Sequence, residues 1–305
     1  MLLRPVRETE EDAETVHLVA KASFGASHAL KGDAPSEPSS EAPSEDGSES
    51  LADRRRARSQ EKIRHLVRTD PAGSWIAEDE TGQAVGAAQS LIREGTWGLA
   101  LLVVLPGAQG KGVGNALLRR TMEYGRACLR GVICCSRHPA AARVYRQAGF
   151  ELHPTIRMRG VVDRVRLGTP EGAAVEGSAR DRDLLDSIDR RLRGGAHGPD
   201  HEFLLRHCRL VVADDLAGSG YCYMTDQGKV ELLAATSRRL ATRVLSAALL
   251  GVEEGVVAEV QDVTAGQQWA VDVGLAAGLE LRAEGFLCFR GMRPPAPYIP
   301  SGAFL

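Results

Sequence analysis

The stretch that decides the fold is VVLPGAQGKGVGNALL, residues 103–118. Its apolar start predicts the end of a buried strand, and its last residues predict the beginning of a helix. Between them Gly110, Gly112 and Gly114 stand at alternate positions. Glycine lets bare backbone approach a ligand, and the aligned peptide dipoles of a helix N-terminus favour negative charge. The stretch therefore predicts an anion-binding turn between a strand and a helix.

Two common phosphate-binding motifs do not fit this turn. A P-loop has Ser or Thr after its lysine to hold magnesium, whereas here Gly112 follows Lys111. The dinucleotide fingerprint G-x-G-x-x-G fails as well, because counting from Gly110 puts Asn115 in its last position. Counting from Gly112 puts Leu117 there. The turn is therefore of another kind.

The residues around the turn form a block with three parts. The strand ends in V-x-P at 104–106, a Q-x-x-G-x-G segment follows at 109–114, and the next helix carries L-L at 117–118. A second block, A-x-x-x-Y-x-x-x-G-F, occurs further along at 141–150. Either block alone is a weak signal. Together and in this order they resemble the GNAT superfamily of acyl-CoA-dependent N-acyltransferases, over roughly residues 2–162.

This resemblance implies a role for each part of the pattern. The backbone amides of the turn would cradle the pyrophosphate of acetyl-CoA, a co-substrate, and the strand before it would bind the pantetheine arm. The N–H of Val104 would bind the thioester oxygen as negative charge develops, and Tyr145 would donate a proton to the departing thiolate. Tyr145 as a packed core aromatic, and Lys111 as a solvated lysine, stay open. The residues assigned to the coenzyme are Leu102, Val103, Val104, Gln109, Gly110, Lys111, Gly112, Val113, Gly114 and Asn115.

Two departures from the family pattern leave questions open. His138 stands where the family often has Asn, and it either contacts the coenzyme or only begins a helix. No carboxylate lies at 99–104, where many relatives keep a general base. A base acting through water, or an amine that arrives deprotonated, is as plausible as a side chain. Candidates without positional support are Glu78, Glu94, His28 and His65.

Length and composition predict an ordinary globular protein. The chain has 305 residues, 43% of them apolar and 26% charged, which suits one or two domains. A net charge of −2 excludes nucleic-acid binding through a general positive field. The charged first residues lack a secretory signal and no apolar run could cross a membrane, so we expect a soluble, cytoplasmic protein. The six cysteines show no C-x-x-C pair, so we expect reduced thiols and no metal site.

The first half has the pattern of a sheet with helices. It predicts strands at 2–7, 74–77, 84–93, 99–105, 132–135 and 150–162, and helices at 9–24, 53–68, 115–128 and 139–148. Residues 32–50 contain acids, Ser, Pro and Ala but few apolar side chains, which predicts a disordered acidic insert. This first domain is expected to span residues 1–162.

The second half repeats the plan without the chemistry. AAGLEL at 276–281 mirrors QAGFEL at 147–152, which indicates an internal duplication. The turn that corresponds to the glycine stretch, 235–242, has no glycine, and Gly274 stands in place of the tyrosine. We therefore expect a degenerate GNAT-like domain at 163–293, followed by a tail at 294–305. The fold class predicted is α+β (α/β), with two GNAT-like domains, each a mixed, mostly antiparallel sheet flanked by helices.

The leading functional hypothesis is an acetyl-CoA-dependent N-acetyltransferase whose acceptor amine, on a small molecule or peptide, attacks the thioester directly. No nucleic acid and no membrane is expected as a partner, and a homo-oligomer is left open. One alternative is a non-catalytic acyl-CoA-binding or sensing protein, and another is a mycothiol-synthase-like acetyltransferase. Whether Leu305 reaches the active site, as the chain terminus does in related tandem aminoglycoside acetyltransferases, also stays open.

Overall fold

The computed structural model describes residues 1–29 and 50–305. All but the last residue of the predicted acidic insert, 32–50, lies outside the described residues. Ser50 itself begins a helix, since its hydroxyl accepts a hydrogen bond from the N–H of Asp53. The described residues divide into two compact units. The first unit comprises 1–91 and 99–127, and the second comprises 92–98 and 128–305.

The elements of the first unit follow the sequence prediction closely. They are β1 (Leu2–Pro5), α1 (Glu10–Ala29), α2 (Leu51–Thr69), β2 (Ser74–Glu78), β3 (Ala84–Arg93), β4 (Thr96–Val104) and α3 (Val113–Tyr124). The strand order is β1-β2-β3-β4. The tip of the β3–β4 hairpin, 92–98, belongs to the second unit.

Alternating side chains of the sheet in the first unit bury two separate apolar faces. Ile76 and Val103 pack with Val16 of α1 and Val67 of α2. Their neighbours Ala77, Leu102 and Val104 pack instead with Val113 and Leu117 of α3. Because successive strand residues point to opposite faces, β4 is covered by helices on both sides. This explains its continuously apolar sequence.

The second unit contains the remaining elements. They are β5 (Arg130–Ser136), α4 (Pro139–Gln147), β6 (Glu151–Val161), α5 (Arg164–Leu167), β7 (Val175–Glu176), α6 (Arg182–Arg193), α7 (Asp200–His207), β8 (Arg209–Asp215), β9 (Gly218–Met224), β10 (Val230–Ala235), α8 (Arg238–Leu250), β11 (Val257–Thr264), α9 (Gln268–Ala276), β12 (Glu280–Arg290) and β13 (Tyr298–Ile299). A five-stranded sheet has the order β13-β10-β9-β8-β7.

Strand pairing within the second unit crosses the boundary suggested by the repeat. The order β5-β12-β6-β11 places β12 between β5 and β6, antiparallel to both. Leu287 of β12 pairs with Cys134 on one side and with His153 on the other. Periodicity along one chain carries no information on such a pairing. The predicted boundary between residues 162 and 163 stays a prediction.

The repeated hexapeptide has the same backbone role in both places. Gly149 follows α4 with φ +87° and Gly278 follows α9 with φ +75°. This left-handed conformation ends a helix and turns the chain into the next strand, and glycine adopts it without strain. Mixed α/β architecture with sheets flanked by helices is confirmed.

Candidate active site

The end of β4 lies at the centre of the first unit. Val103 is buried against the α1 and α2 face, whereas Leu102 and Val104 are half-buried on the α3 face. The carbonyl oxygen of Val104 accepts hydrogen bonds from Gln109 Nε2 at 3.0 Å and from Ser23 Oγ at 3.2 Å. Side chains thus hold this carbonyl group where β4 ends. The contact also fixes Gln109, the first residue of the predicted cradle, to the strand.

The glycines of the turn are required by backbone conformation. Gly110 has φ +75° and Gly112 has φ +83°, values that residues with a Cβ rarely adopt. A Cβ at either position would meet no described atom within 4 Å. Residues 109–112 are exposed. Gly110 and Gly112 therefore leave open space beside the backbone of an exposed turn.

Helix α3 begins behind this turn without a capping side chain. Gly112 is its N-cap and no side-chain oxygen accepts a hydrogen bond from its first turn. Val113 is buried and anchors the helix, while Lys111 and Asn115 are exposed and Gly114 is half-buried. An ideal Cβ on Gly114 would lie 3.6 Å from Val104 Cγ2. The first N–H groups of α3 are therefore open to an anion, and the helix dipole adds to their attraction.

The matching helix of the second half begins differently. The Ser237 hydroxyl caps α8 by accepting a hydrogen bond from the N–H of Leu240 at 3.3 Å. The N–H groups of Ala235 and Thr236 donate to main-chain carbonyl groups of Pro297 and Ser219. These groups are already hydrogen-bonded, so this turn offers no counterpart to the open N–H groups of α3.

The position that corresponds to the tyrosine is also closed in the second half. An ideal Cβ on Gly274 of α9 would lie 2.4 Å from Met158 Sδ, and Met158 is fully buried. A larger side chain would not fit without moving the core. Both features support a second copy that lacks the coenzyme-binding chemistry.

Tyr145 lies on α4 in the second unit and is 5% exposed. Burial raises the pKa of its hydroxyl well above the usual range, and the thiols of Cys135 and Cys288 add to the effect. The hydroxyl forms no hydrogen bond within the described part of the chain. It therefore stays a neutral donor with its proton available.

His138 begins α4. Its ring Nδ1 accepts a hydrogen bond from the N–H of Ala140 at 3.3 Å, which makes it the N-cap residue. The sequence left open whether His138 contacts the coenzyme or only begins a helix, and the structure shows that it begins a helix.

The acidic residues considered as bases are held by arginines. Glu78 accepts from Arg4 Nε at 2.6 Å. Glu94 accepts from Arg190 Nη2 at 2.7 Å and from the N–H of Ala196 at 3.0 Å. These hydrogen bonds lower the pKa of Glu94. Such a carboxylate is a weak base. His65 is buried and the side chain of His28 lies outside the described residues.

A pair of carboxyl groups that the sequence did not single out lies in the second unit. Asp262 sits at an irregularity of β11 with φ +56°, and its N–H donates to Glu284 Oε2 at 2.9 Å. Burial, together with the charge of Glu284, raises the pKa of Asp262 to about 7. The pKa of Glu284 is also raised by burial. β11 and β12 lie on either side of β6 and both pair with it, so only the three-dimensional arrangement of these strands reveals the pair.

A second unforeseen cluster joins Asp189, His197 and His201, whose ligand-type atoms lie within 4.8 Å of one another. Asp189 Oδ2 is 2.7 Å from His197 Nδ1 and 3.1 Å from His201 Nε2. The hydroxyl groups of Tyr221 and Tyr223 complete the contacts of Asp189 and His201. These are hydrogen-bond lengths and every one of these atoms has a partner, so the cluster fits a buried hydrogen-bond network better than a metal site.

Residues 70–152 match the family model of the acetyltransferase (GNAT) domain. The chain carries a GNAT acetyltransferase domain. The match includes the end of β4, the glycine turn, α3 and Tyr145, so the resemblance to the GNAT superfamily is confirmed. Acyl transfer is the general chemistry of this domain, which makes the protein an acyltransferase. The roles of individual site residues stay predictions.

Several solved structures are similar over nearly the whole chain. A suspected acetyltransferase from Pyrococcus horikoshii has a TM-score of 0.71 and 16% identity, with 99% of this chain and 95% of that chain covered. A GCN5-related N-acetyltransferase from Sphaerobacter thermophilus has a TM-score of 0.57 and 16% identity, with 99% of this chain and 98% of that chain covered. A tandem GNAT protein from the clavulanic acid biosynthesis pathway has a TM-score of 0.55 and 14% identity, with 96% of this chain and 99% of that chain covered.

At these identities the likeness is one of fold, and it agrees with two GNAT-like domains in one chain. No curated protein sequence matches this chain. Among the described helices, none combines the length and apolar character needed to cross a lipid bilayer.

Proposed function

We propose that this protein transfers the acetyl group of acetyl-CoA to a primary amine on a small molecule or peptide in the cytoplasm. The observation that carries the proposal is the uncapped start of α3, preceded by Gly110 and Gly112 with open space where their side chains would be. The pyrophosphate of coenzyme A is the kind of dense negative charge that unpaired N–H groups and a helix dipole bind. Residues 109–115 form this cradle.

The donor arm is assigned to β4. The amide groups of pantetheine pair with the backbone of Leu102, Val103 and Val104, as a ligand added to a strand would. The N–H of Val104 then stabilises the negative charge that develops on the thioester oxygen. Holding both reactants in one complex supplies much of the acceleration, and no covalent enzyme intermediate is needed.

Tyr145 is assigned as the proton donor to the departing thiolate. A free thiol has a pKa of about 8.5, so a desolvated thiolate leaves more easily when a donor protonates it. The hydroxyl of Tyr145 is protonated at physiological pH, so the proton that this transfer needs is present.

Asp262 is assigned as the acceptor of the proton that the amine loses. A base works best when its pKa lies near the working pH, and Asp262 meets that condition with a pKa of about 7. The N–H of Asp262 donates to Glu284 Oε2 at 2.9 Å, and the charge of Glu284 contributes to the raised pKa of Asp262.

Calorimetric titration of coenzyme A tests the cradle with three variants. Gly112→Asp and Gly112→Asn both tolerate the left-handed backbone and have nearly the same shape, but only the aspartate repels pyrophosphate. We expect Gly112→Asp to lower affinity at least about tenfold more than Gly112→Asn. Gly107→Asp is the matched control, since Gly107 is also exposed with open space around it. Equal affinity of all three variants and the parent would refute the cradle.

Release of coenzyme A from acetyl-CoA in the presence of an amine panel tests the reaction. The panel contains polyamines, aminoglycosides, peptides and a cysteinyl amino sugar. Amine-dependent release establishes acetyl transfer, and the amine that works defines the acceptor class. Tight coenzyme binding without release from any amine would instead support the sensing protein.

A further inference from the structure

Within the residues that the structure describes, the guanidinium group of Arg193 is buried and forms no ion pair. Arg193 ends α6 and is 3% exposed. Neither of its terminal nitrogens, Nη1 and Nη2, has a hydrogen-bond partner in the described part of the chain. Arginine stays charged in proteins, and an unpaired buried charge is among the most destabilising features a fold can contain. The surroundings of Arg193 should therefore accommodate an anion.

The groups next to Arg193 are also donors. Burial lowers the pKa of His197, and the positive charge of Arg193 lowers it further. Burial raises the pKa of Tyr298, which the charge of Arg193 opposes. Both side chains are buried, and Tyr298 Oη lies 3.3 Å from His197 Nε2. The imidazole and phenol groups therefore lie together, and the charge of Arg193 acts on both.

Asp189 is not the missing counterion. Its Oδ2 is shared by the two histidines, and its Oδ1 accepts from Tyr221 Oη at 2.5 Å. Asp186 is engaged as well, with Arg182 Nε at 3.1 Å and the N–H of Gly198 at 3.3 Å. Neither carboxylate bonds Arg193.

The main chain at Leu305 brings an oxygen to this place. Leu305 O lies 3.1 Å from His197 Nε2, and the Leu305 side chain packs against Val132, Leu287 and Phe289. Leu305 has φ +65°, which is strained for a branched side chain. Strain of this kind persists only where the surroundings hold the residue in place.

We propose that Arg193, His197 and Tyr298 form a buried binding site for a carboxylate group. The two terminal guanidinium nitrogens match the two oxygens of a carboxylate, which is the favoured geometry for such pairs. The carboxylate has two conceivable sources with the same chemistry. It is the α-carboxylate of Leu305 when the polypeptide ends there, or it is a small free carboxylate such as acetate. The site fastens the segment 298–305 to β5 and β12.

Thermal unfolding of four proteins separates the sources. They are the chain ended at Leu305, the same chain with two glycines added, and both forms with Arg193→Met. If the site binds the chain's own carboxylate, the two added glycines should lower the Tm of the protein with Arg193 by about 5–10 °C. They should lower the Tm of the Arg193→Met protein far less. If the site binds a free carboxylate, the added glycines should not change the Tm. Sodium acetate should then give a higher Tm than sodium chloride, and only in the two proteins that keep Arg193.

Controls keep the test decisive. Arg191→Met changes an exposed arginine on the same helix and should leave the response to added glycines intact. Tyr298→Phe removes one hydroxyl group and should reduce that response in a protein that still folds. The carboxylate site is overturned if added glycines and acetate change the Tm of the parent, Arg193→Met and Tyr298→Phe proteins by equal amounts. It is also overturned if neither treatment changes the Tm of any of them.

Discussion

Arg93 and Asp200 form a buried ion pair with two parallel hydrogen bonds. Arg93 Nε lies 2.6 Å from Asp200 Oδ2 and Nη2 lies 2.8 Å from Oδ1, with side chains 5% and 0% exposed. Asp200→Asn would remove the negative charge that these two hydrogen bonds bring to the buried guanidinium. We expect the free energy of unfolding to fall by about 3–5 kcal/mol, measured by urea denaturation.

An exposed pair provides the comparison for this prediction. Arg120 and Glu123 are also 2.8 Å apart, but their side chains are 48% and 58% exposed. Glu123→Gln should change the free energy of unfolding by less than about 1 kcal/mol. If both substitutions lower the free energy of unfolding by the same small amount, burial does not strengthen the pair of Arg93 and Asp200.

Tyr145→Phe tests the assigned acid. The ring and its packing are kept while the hydroxyl is lost, so the Tm should change little. We expect kcat to fall about 100-fold and the affinity for acetyl-CoA to change less than about threefold. Steady-state rates with calorimetric binding measure both. Unchanged kcat would leave Tyr145 as a core aromatic.

The pH dependence of kcat/KM tests Asp262. A base must be unprotonated to act, so kcat/KM should fall about tenfold per unit as pH drops below the pKa of about 7. Asp262→Asn should remove this limb and lower the plateau about 100-fold. Glu284→Gln removes the neighbouring negative charge, so it should lower the pKa of Asp262 and move the limb to lower pH. A limb that persists in Asp262→Asn belongs to another group.

Asp12 predicts a loss of stability in acid. Burial alone would raise its pKa, but hydrogen bonds from Arg7 and Arg4 outweigh burial and lower it well below the usual value. A lowered folded pKa gives stability that is complete above the unfolded pKa of about 4 and is lost as pH falls through the folded pKa.

Asp12→Asn should therefore cost the protein about 2–3 kcal/mol of stability at pH 7 and a clearly smaller amount near pH 2, because part of the contribution of Asp12 is already lost there. Denaturation at both values of pH measures the difference. Glu80→Gln is a useful control, because Glu80 is an exposed turn residue of the same unit. A penalty at Asp12 that does not depend on pH would point to packing instead of charge.

Local chemistry explains why much of the first half is predictable. Gly110 and Gly112 have positive φ as their spacing in the motif suggests, and α3 begins at Val113, within two residues of the expected start. Ala84–Arg93 is a strand with the predicted bounds. Each of these features depends on residues that are neighbours in the chain, so propensity and turn chemistry suffice to find them.

The features that sequence reasoning missed depend on contacts between distant residues. Asp262 of β11 meets Glu284 of β12 because both strands pair with β6. Asp189 of α6 meets His201 of the following helix, α7. Arg193 resembles any other arginine at a helix C-terminus until its burial is known. A carboxylate or imidazole carries no mark in the sequence of whether it will be exposed or buried, so these groups emerge only in three dimensions.

The insertion of β12 between β5 and β6 has a consequence for how the gene can be divided. A fragment stopped after residue 162 would lack the strand that lies between β5 and β6, and the unpaired edges of these two strands would invite aggregation. During synthesis the ribosome must deliver nearly the whole polypeptide before β12 can pair with both strands. The C-terminal part of the chain is thus required for folding, whatever its share in the chemistry.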